Sequence, residues 1–168
     1  MARHPELAAR SFVAGSFGKT FHVTGWKVGY VAAPAALTAE LRKVHQYVTF
    51  STMTPVQHGI ADLLNDQESL DALPAFFQRK RDLFLQLMED SRFRPLPCRG
   101  SYFQLMDYSA ISDLPDAEFA IWLTREHGVA AIPTSPFLYK TRAPQVVRFC
   151  FAKKDGTLER AAERLRRV

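Results

Sequence analysis

From residue 91 onward the apolar pattern switches between a period of two and a period near 3.6, and this alternation constrains the fold most strongly. Tyr102-Phe103-Gln104-Leu105-Met106 reads as a strand after the turn-prone Pro95, Pro97 and Gly100. Asp116 opens a helix over 117–127 that Gly128 closes, and 129–132 follows as a short strand. Residues 146–151 form the last strand and 157–167 the last helix, with Leu158, Ala161, Ala162 and Leu165 inward. Counting Phe93, the order is strand, strand, helix, strand, strand, helix: an α+β or α/β unit of ordinary size.

The first ninety residues are less balanced. Residues 26–32 read as a strand stopped by Pro34, and 35–47 as a helix. Thr54-Pro55 starts a second helix, Thr as cap, with Val56, Ile60, Leu63 and Leu64 on its apolar face. A longer helix over 71–90 carries Leu73, Phe76, Phe77, Leu83, Phe84, Leu87 and Met88 on one side, interrupted by Arg79-Lys80-Arg81. A lone strand cannot satisfy its own backbone groups. The expectation is that another chain completes it, or that the sequence is the back half of a larger protein.

Composition narrows the classes. With 168 residues, 47% hydrophobic and 23% charged, the chain is globular rather than disordered. No run approaches the roughly 20 apolar residues of a membrane-spanning helix, and the N-terminus lacks the apolar core of a secretory signal. Two cysteines, Cys98 and Cys150, are too few for a disulfide scaffold and too few alone for zinc, so cytoplasmic is the default. The net charge of +5 comes in short basic groups diluted by acids, without interleaved aromatics, which argues against nucleic acid. His22, His45, His58 and His127 are scattered, with no ligand spacing, so no metal site is expected.

Three cations could carry chemistry. Lys19, framed by Ser16-Phe17-Gly18, could present an amine for Schiff-base chemistry where burial or a nearby cation lowers its pKa; otherwise it is a solvated surface group. Lys27, read inside an apolar strand, needs an anion such as phosphate, which the Ser16 hydroxyl could help bind; otherwise it snorkels to solvent. Arg148 lies mid-strand, with Val147, Phe149 and Phe151 on the opposite face. Its planar fork suits a carboxylate, or else it pairs internally with a residue such as Asp107.

On those residues a resemblance becomes plain. The run SFGKTFHVTGWKVGYVAAP resembles the cofactor-lysine segment of class I/II, fold-type I aminotransferases that use pyridoxal phosphate. Within that class it is similar to the methionine and kynurenine/glutamine branch, and the likeness continues through RKVHQYVTFSTMTPVQ, EHGVAAIP and VVRFCFAKK. The resemblance implies that Lys19 bonds the cofactor and moves the proton, that Ser16 and Lys27 hold its phosphate, and that Arg148 holds the substrate α-carboxylate. Most of the family places Arg where Lys27 stands, so the positive contact would survive with another geometry.

It also implies the C-terminal portion of the pyridoxal-phosphate-dependent transferase fold. Residues 1–66 would be a remnant of the large domain, and 67–168 a long linking helix with the small α+β domain. The ring-nitrogen Asp, the phenolic-oxygen Asn and Tyr and the stacking aromatic would lie outside this chain, and Asp62, Asp66 and Asp71 cannot replace the Asp. A homodimer acting on amino acids and 2-oxo acids is implied, with a methionine, aromatic or glutamine-like donor. The 168-residue chain alone is expected to bind the cofactor weakly and to lack turnover. The alternative is a non-catalytic module serving subunit assembly. Tyr47, Thr49 and 51–55 would approach a partner subunit, and Phe137 and Tyr139 would line a side-chain pocket.

Overall fold

The computed structural model describes residues 2–139 and 145–168. They divide into two units, Met1–Leu70 and Asp71–Val168.

In the first unit a one-turn helix α1 (Pro5–Ala8) precedes strand β1 (Val13–Ser16), helix α2 (Phe17–Thr20), a 3-10 turn (Thr24–Trp26), strand β2 (Gly29–Ala32) and helices α3 (Ala35–Val48) and α4 (Thr54–Leu64). β1 and β2 pair antiparallel, Val13 opposite Ala32 and Ser16 opposite Gly29. The lone strand of the sequence reading therefore has a neighbour. Its signal was hidden because 11–18 is made largely of small residues with no apolar alternation. The pairing depends on a close backbone approach, since a Cβ on Gly29 would lie 2.5 Å from the Gly15 carbonyl oxygen.

α4 begins as expected but is not capped by Thr54: Met53 holds the cap position and no side chain bonds there. Pro55 still suits the first turn, where its missing N–H has no intrahelical partner to lose. Val56 and Ile60 of α4 are buried with Val28, against Phe17, Phe21 and Val23, while Leu64 at the helix end is exposed.

In the second unit, α5 (Gln67–Leu87) starts earlier than expected, crosses the division at Leu70, and contains Pro74. β3 (Arg94–Pro95), β4 (Phe103–Asp107), helix α6 (Asp116–His127), β5 (Ile132–Pro133), a 3-10 turn (Ser135–Phe137), β6 (Val146–Cys150) and helix α7 (Asp155–Leu165) follow. The strands form one antiparallel sheet in the order β3-β4-β6-β5, so this unit is α+β. Gly128 closes α6 at φ 64°, the left-handed position its missing side chain permits.

Period-two alternation gives β6 two unlike faces. Val147 and Phe149 are buried, whereas Arg148 and Cys150 are only partly covered. The buried face meets Phe84, Met88, Phe119, Leu123, Leu158 and Leu165. Rings hold its centre: Phe93 meets Phe149 edge-on at 5.7 Å, and Tyr108 stacks flat on Phe119 at 3.8 Å.

The basic triplet of α5 does not interrupt this packing. Lys80 is 6% exposed and ion-pairs with Asp155 at the start of α7, where Arg79 also reaches the same carboxylate at 3.2 Å. Lys80 donates the strongest of the hydrogen bonds that hold the Asp155 carboxyl below its usual range. A buried ammonium keeps its charge only with such a partner.

Candidate active site

Ser16, Lys19 and Lys27 all lie on the segment that joins β1 to β2. Ser16 ends β1 and its Oγ accepts a hydrogen bond from the Gly18 N–H at 3.3 Å. That leaves the hydroxyl proton to donate elsewhere. Lys19 stands on α2, and Lys27 follows the 3-10 turn. All three are exposed. The burial that the sequence reading asked for around Lys19 is not supplied by this unit.

Lys27 does not lie inside a strand. β2 begins at Gly29, and Lys27 takes φ 52° and ψ 42°, a left-handed conformation that is strained for a residue with a Cβ. The turn is needed because the chain must reverse between the 3-10 turn and β2, where Phe17 N–H reaches the Val28 carbonyl at 3.2 Å. The Ser16–Gly29 register places Lys27 only two residues beyond the residue opposite Ser16. A further signal was legible in the sequence: no Asp or Glu occurs between Glu6 and Glu40. A segment presenting a hydroxyl and two ammonium groups without a carboxylate suits an anion.

Arg148 occupies the centre of β6, opposite Leu105 on β4 and Ile132 on β5. Both neighbours are exposed, at 37% and 44%, so this is the open face of the sheet. The guanidinium lies 4.1 Å from the centre of the Phe103 ring and 5.3 Å from that of Phe137. Its Nε is buried and has no hydrogen-bond partner among the described residues. Asp107, the internal partner considered above, faces Val146 and Arg94 in the sheet. Its carboxyl is held below its usual range first by the hydrogen bonds of Ser109. An unpartnered buried donor costs about 1–3 kcal/mol, which a ligand accepting from it would relieve.

Two residues of this site escaped the sequence reading. Phe103 could be placed beside Arg148 only from the β4–β6 register. The sequence marks Asp116 only as a helix opener, yet it is 3% exposed and accepts from the Ser135 N–H at 2.6 Å and from Thr134 Oγ1 at 3.4 Å. Thr134 Oγ1 also lies 3.1 Å from the Val146 carbonyl. Burial pushes the Asp116 carboxyl up, but the Ser135, Thr134 and Ala117 hydrogen bonds outweigh it and hold it below the usual range. The turn bearing Phe137 is thereby tied to α6 and β6. Tyr139 is 82% exposed, and His22 is exposed in the β1–β2 segment. No cluster of metal-binding side chains occurs among the described residues, and no helix is long and apolar enough to cross a membrane.

A family model described as aminotransferase class I and II matches residues 1–165. The methionine aminotransferase of Escherichia coli is 54% identical over 98% of this chain, which covers 43% of that protein. Human kynurenine–oxoglutarate transaminase 1 is 32% identical over 99% of the chain, covering 45% of its own length. Among solved structures, a methionine aminotransferase of Escherichia coli superposes with a TM-score of 0.95 at 54% identity, over 99% of this chain and 44% of that one. N-succinyldiaminopimelate aminotransferase of Mycobacterium tuberculosis gives 0.90 at 32% identity, over 98% and 44%. The chain thus spans less than half the length of these relatives, and its fold is a part of the fold-type I transferase fold. A lysine-bearing loop, an arginine set in an apolar strand and a likeness along nearly the whole sequence converge: the chain belongs to the class I and II aminotransferase family.

Proposed function

We propose that this chain is the lysine-bearing and carboxylate-binding part of an aminotransferase that moves an amino group from an amino acid to a 2-oxo acid. The observation that carries the reading is Arg148 on the open face of the sheet, whose buried Nε has no hydrogen-bond partner among the described residues and whose guanidinium lies near the Phe103 and Phe137 rings. Members of the family use pyridoxal phosphate. The residues present fit part of that group: a hydroxyl with a free proton and two exposed ammoniums on one acid-free segment match a phosphate dianion and an aldehyde.

When bound, pyridoxal phosphate supplies the electron sink that chemistry at an amino-acid α-carbon requires. In this reading the Ser16 hydroxyl and the Lys27 ammonium hold the phosphate. Lys19 would hold the cofactor through its side-chain amine and would carry the proton to and from the substrate α-carbon. Arg148 fixes the α-carboxylate through parallel hydrogen bonds, so that the α-C–H has one orientation. Phe103, Leu105, Ile132 and Phe137 make the surroundings of Arg148 apolar, which supports a methionine or aromatic donor, while a glutamine-like donor rests on the family likeness alone. Residues 1–66 then belong to the large domain and 67–168 to the linking helix and small domain of a cytoplasmic homodimer. The activity is that of the whole protein; the 168 residues alone should bind the cofactor weakly and show no turnover.

The test supplies a complementing N-terminal half. Pyridoxal phosphate should then give a visible absorbance band that borohydride removes, with the pyridoxyl group mapped to Lys19 by trypsin. Lys19→Ala should abolish both band and transamination. Arg148→Ala should keep the band and weaken amino-acid binding by about 2–5 kcal/mol, the range for a buried charged contact left unpaired. Labelling at another lysine, or unchanged amino-acid binding in Arg148→Ala, overturns the reading. A second reading, a non-catalytic assembly module, draws on Tyr47, Val48 and Phe50, exposed at 87%, 77% and 83%. It predicts self-association in sedimentation velocity without cofactor uptake, even when the complementing half is present.

A further inference from the structure

Within the second unit, a cavity of about 320 Å³ opens between the end of β6, the loop after α6 and the length of α7. Its floor is core: Phe84, Phe149, Leu158 and Leu165 are each at most 4% exposed. Its rim is cationic, with Lys153, Arg160 and Arg164 and the Thr157 hydroxyl. No Asp or Glu lines it, and none of the three cations forms an ion pair among the described residues. Arg164 is held in place, donating from Nη1 to the Gly128 carbonyl at 3.1 Å, and Arg160 Nη2 lies 3.4 Å from Thr157 Oγ1. Arg148 is not among the lining residues.

We propose that this cavity is a second small-molecule site that takes an apolar monocarboxylate, an aryl or branched-alkyl acid. Its volume falls at the lower end of ligand pockets, which are mostly apolar with a few converging polar groups. An alkyl or aryl body covers the apolar floor. The carboxylate meets two guanidinium groups and an ammonium at the mouth, where partial desolvation strengthens the contact. A sugar phosphate would leave its hydroxyls unpaired against the floor. The site is independent of the role given to Arg148.

The experiment titrates the isotopically labelled 168-residue chain with 3-phenylpropionate and follows the backbone amides by two-dimensional NMR. The expected result is saturable shifts at Gly128, Val129, Thr157 and Leu158, with the uncharged 3-phenylpropan-1-ol binding about tenfold more weakly or worse, a difference of about 1.4 kcal/mol. The exposed pair Lys153→Glu/Arg160→Glu should lose the acid selectively, and the milder Lys153→Gln should weaken it should the double variant misfold. Arg148→Ala should leave these shifts unchanged, so failure of this site and failure of the aminotransferase reading are separable. The proposal is overturned by acid and alcohol binding equally, by inorganic phosphate alone giving the same shifts, by the absence of saturable shifts, or by shifts around Phe103 and Phe137 that vanish in Arg148→Ala.

Discussion

The two units use apolar residues in opposite ways. Among the described residues, the second unit encloses sixteen buried side chains in one core around a four-stranded sheet, whereas the first gathers Val28, Val56 and Ile60. Meanwhile Val44, Tyr47, Val48, Phe50 and Met53 of the first unit stand exposed. Each fully buried Phe, Leu or Val contributes about 1.5–3 kcal/mol, so the second unit has its own reason to fold. The first leans on backbone pairing between β1 and β2. The candidate residues also fall in both units. Arg148 rides on a strand backed by a full core, while Ser16, Lys19 and Lys27 ride on a segment closed by a two-stranded ladder.

The largest expected effect tests whether the cores are separate. Phe149→Ala should destabilise the second unit by about 3–5 kcal/mol, the usual cost of emptying a ring-sized space. Native-state hydrogen exchange of the β4 and β6 amides should register that loss, while β1 and β2 exchange fast in either protein. Ile60→Ala should leave the β4 and β6 amides where they were. Equal loss of protection in both variants would mean one cooperative structure, and the contrast would collapse.

Next in size is the buried ammonium. Asp155→Asn leaves Lys80 without its anion and should lower the second unit's unfolding midpoint, more than removing an exposed pair such as Lys43–Glu40. Adding Lys80→Met to Asp155→Asn should recover most of the loss, because an apolar side chain suits that position. A double variant no more stable than Asp155→Asn shows that the ion pair is not what matters there.

Much of the second unit was legible because its signals are local. The alternation of β6, the Gly128 stop and the inward stripe of α7 each reside in one short stretch. What escaped depended on distance or backbone. β1 carries almost no side-chain pattern, and its existence follows from two glycines whose closeness only the paired strands reveal. Lys27 read as a strand residue because its neighbours are apolar; its left-handed turn belongs to the reversal of the chain. Lys80 read as a break in a stripe because its partner, Asp155, lies 75 positions away. At the site, the three cations were found from their chemistry, whereas Phe103 and Asp116 needed register and a loop contact.

A smaller effect sharpens the contrast from the first unit's side. Gly29→Ala drives a methyl group into the Gly15 carbonyl and should part β1 from β2, read as loss of cross-strand nuclear Overhauser contacts between Gly15 and Tyr30. The second unit's amides should not move, and intact β1–β2 contacts would refute the glycine argument. Smallest is a local titration. Because Asp116 has a lowered pKa in the folded state, its tether stabilises at pH above the ordinary carboxylate range and is lost as pH falls through the lowered value. The Ser135 amide shift should report that step with a midpoint below an ordinary aspartate's, and Asp116→Asn should erase it. A midpoint above that of an ordinary aspartate would contradict the balance of forces described.

The guanidinium of Arg148 has one ring neighbour on the sheet and another on a loop turn. Phe103 belongs to a central strand pair, whereas Phe137 sits on a short turn held by Asp116 at the start of α6 and by the Val146 carbonyl of β6. The second ring can therefore be moved without changing the arginine. Substitutions at 134, 135 or 137 would shift the Phe137 ring against the guanidinium while Phe103 keeps its alignment on β4.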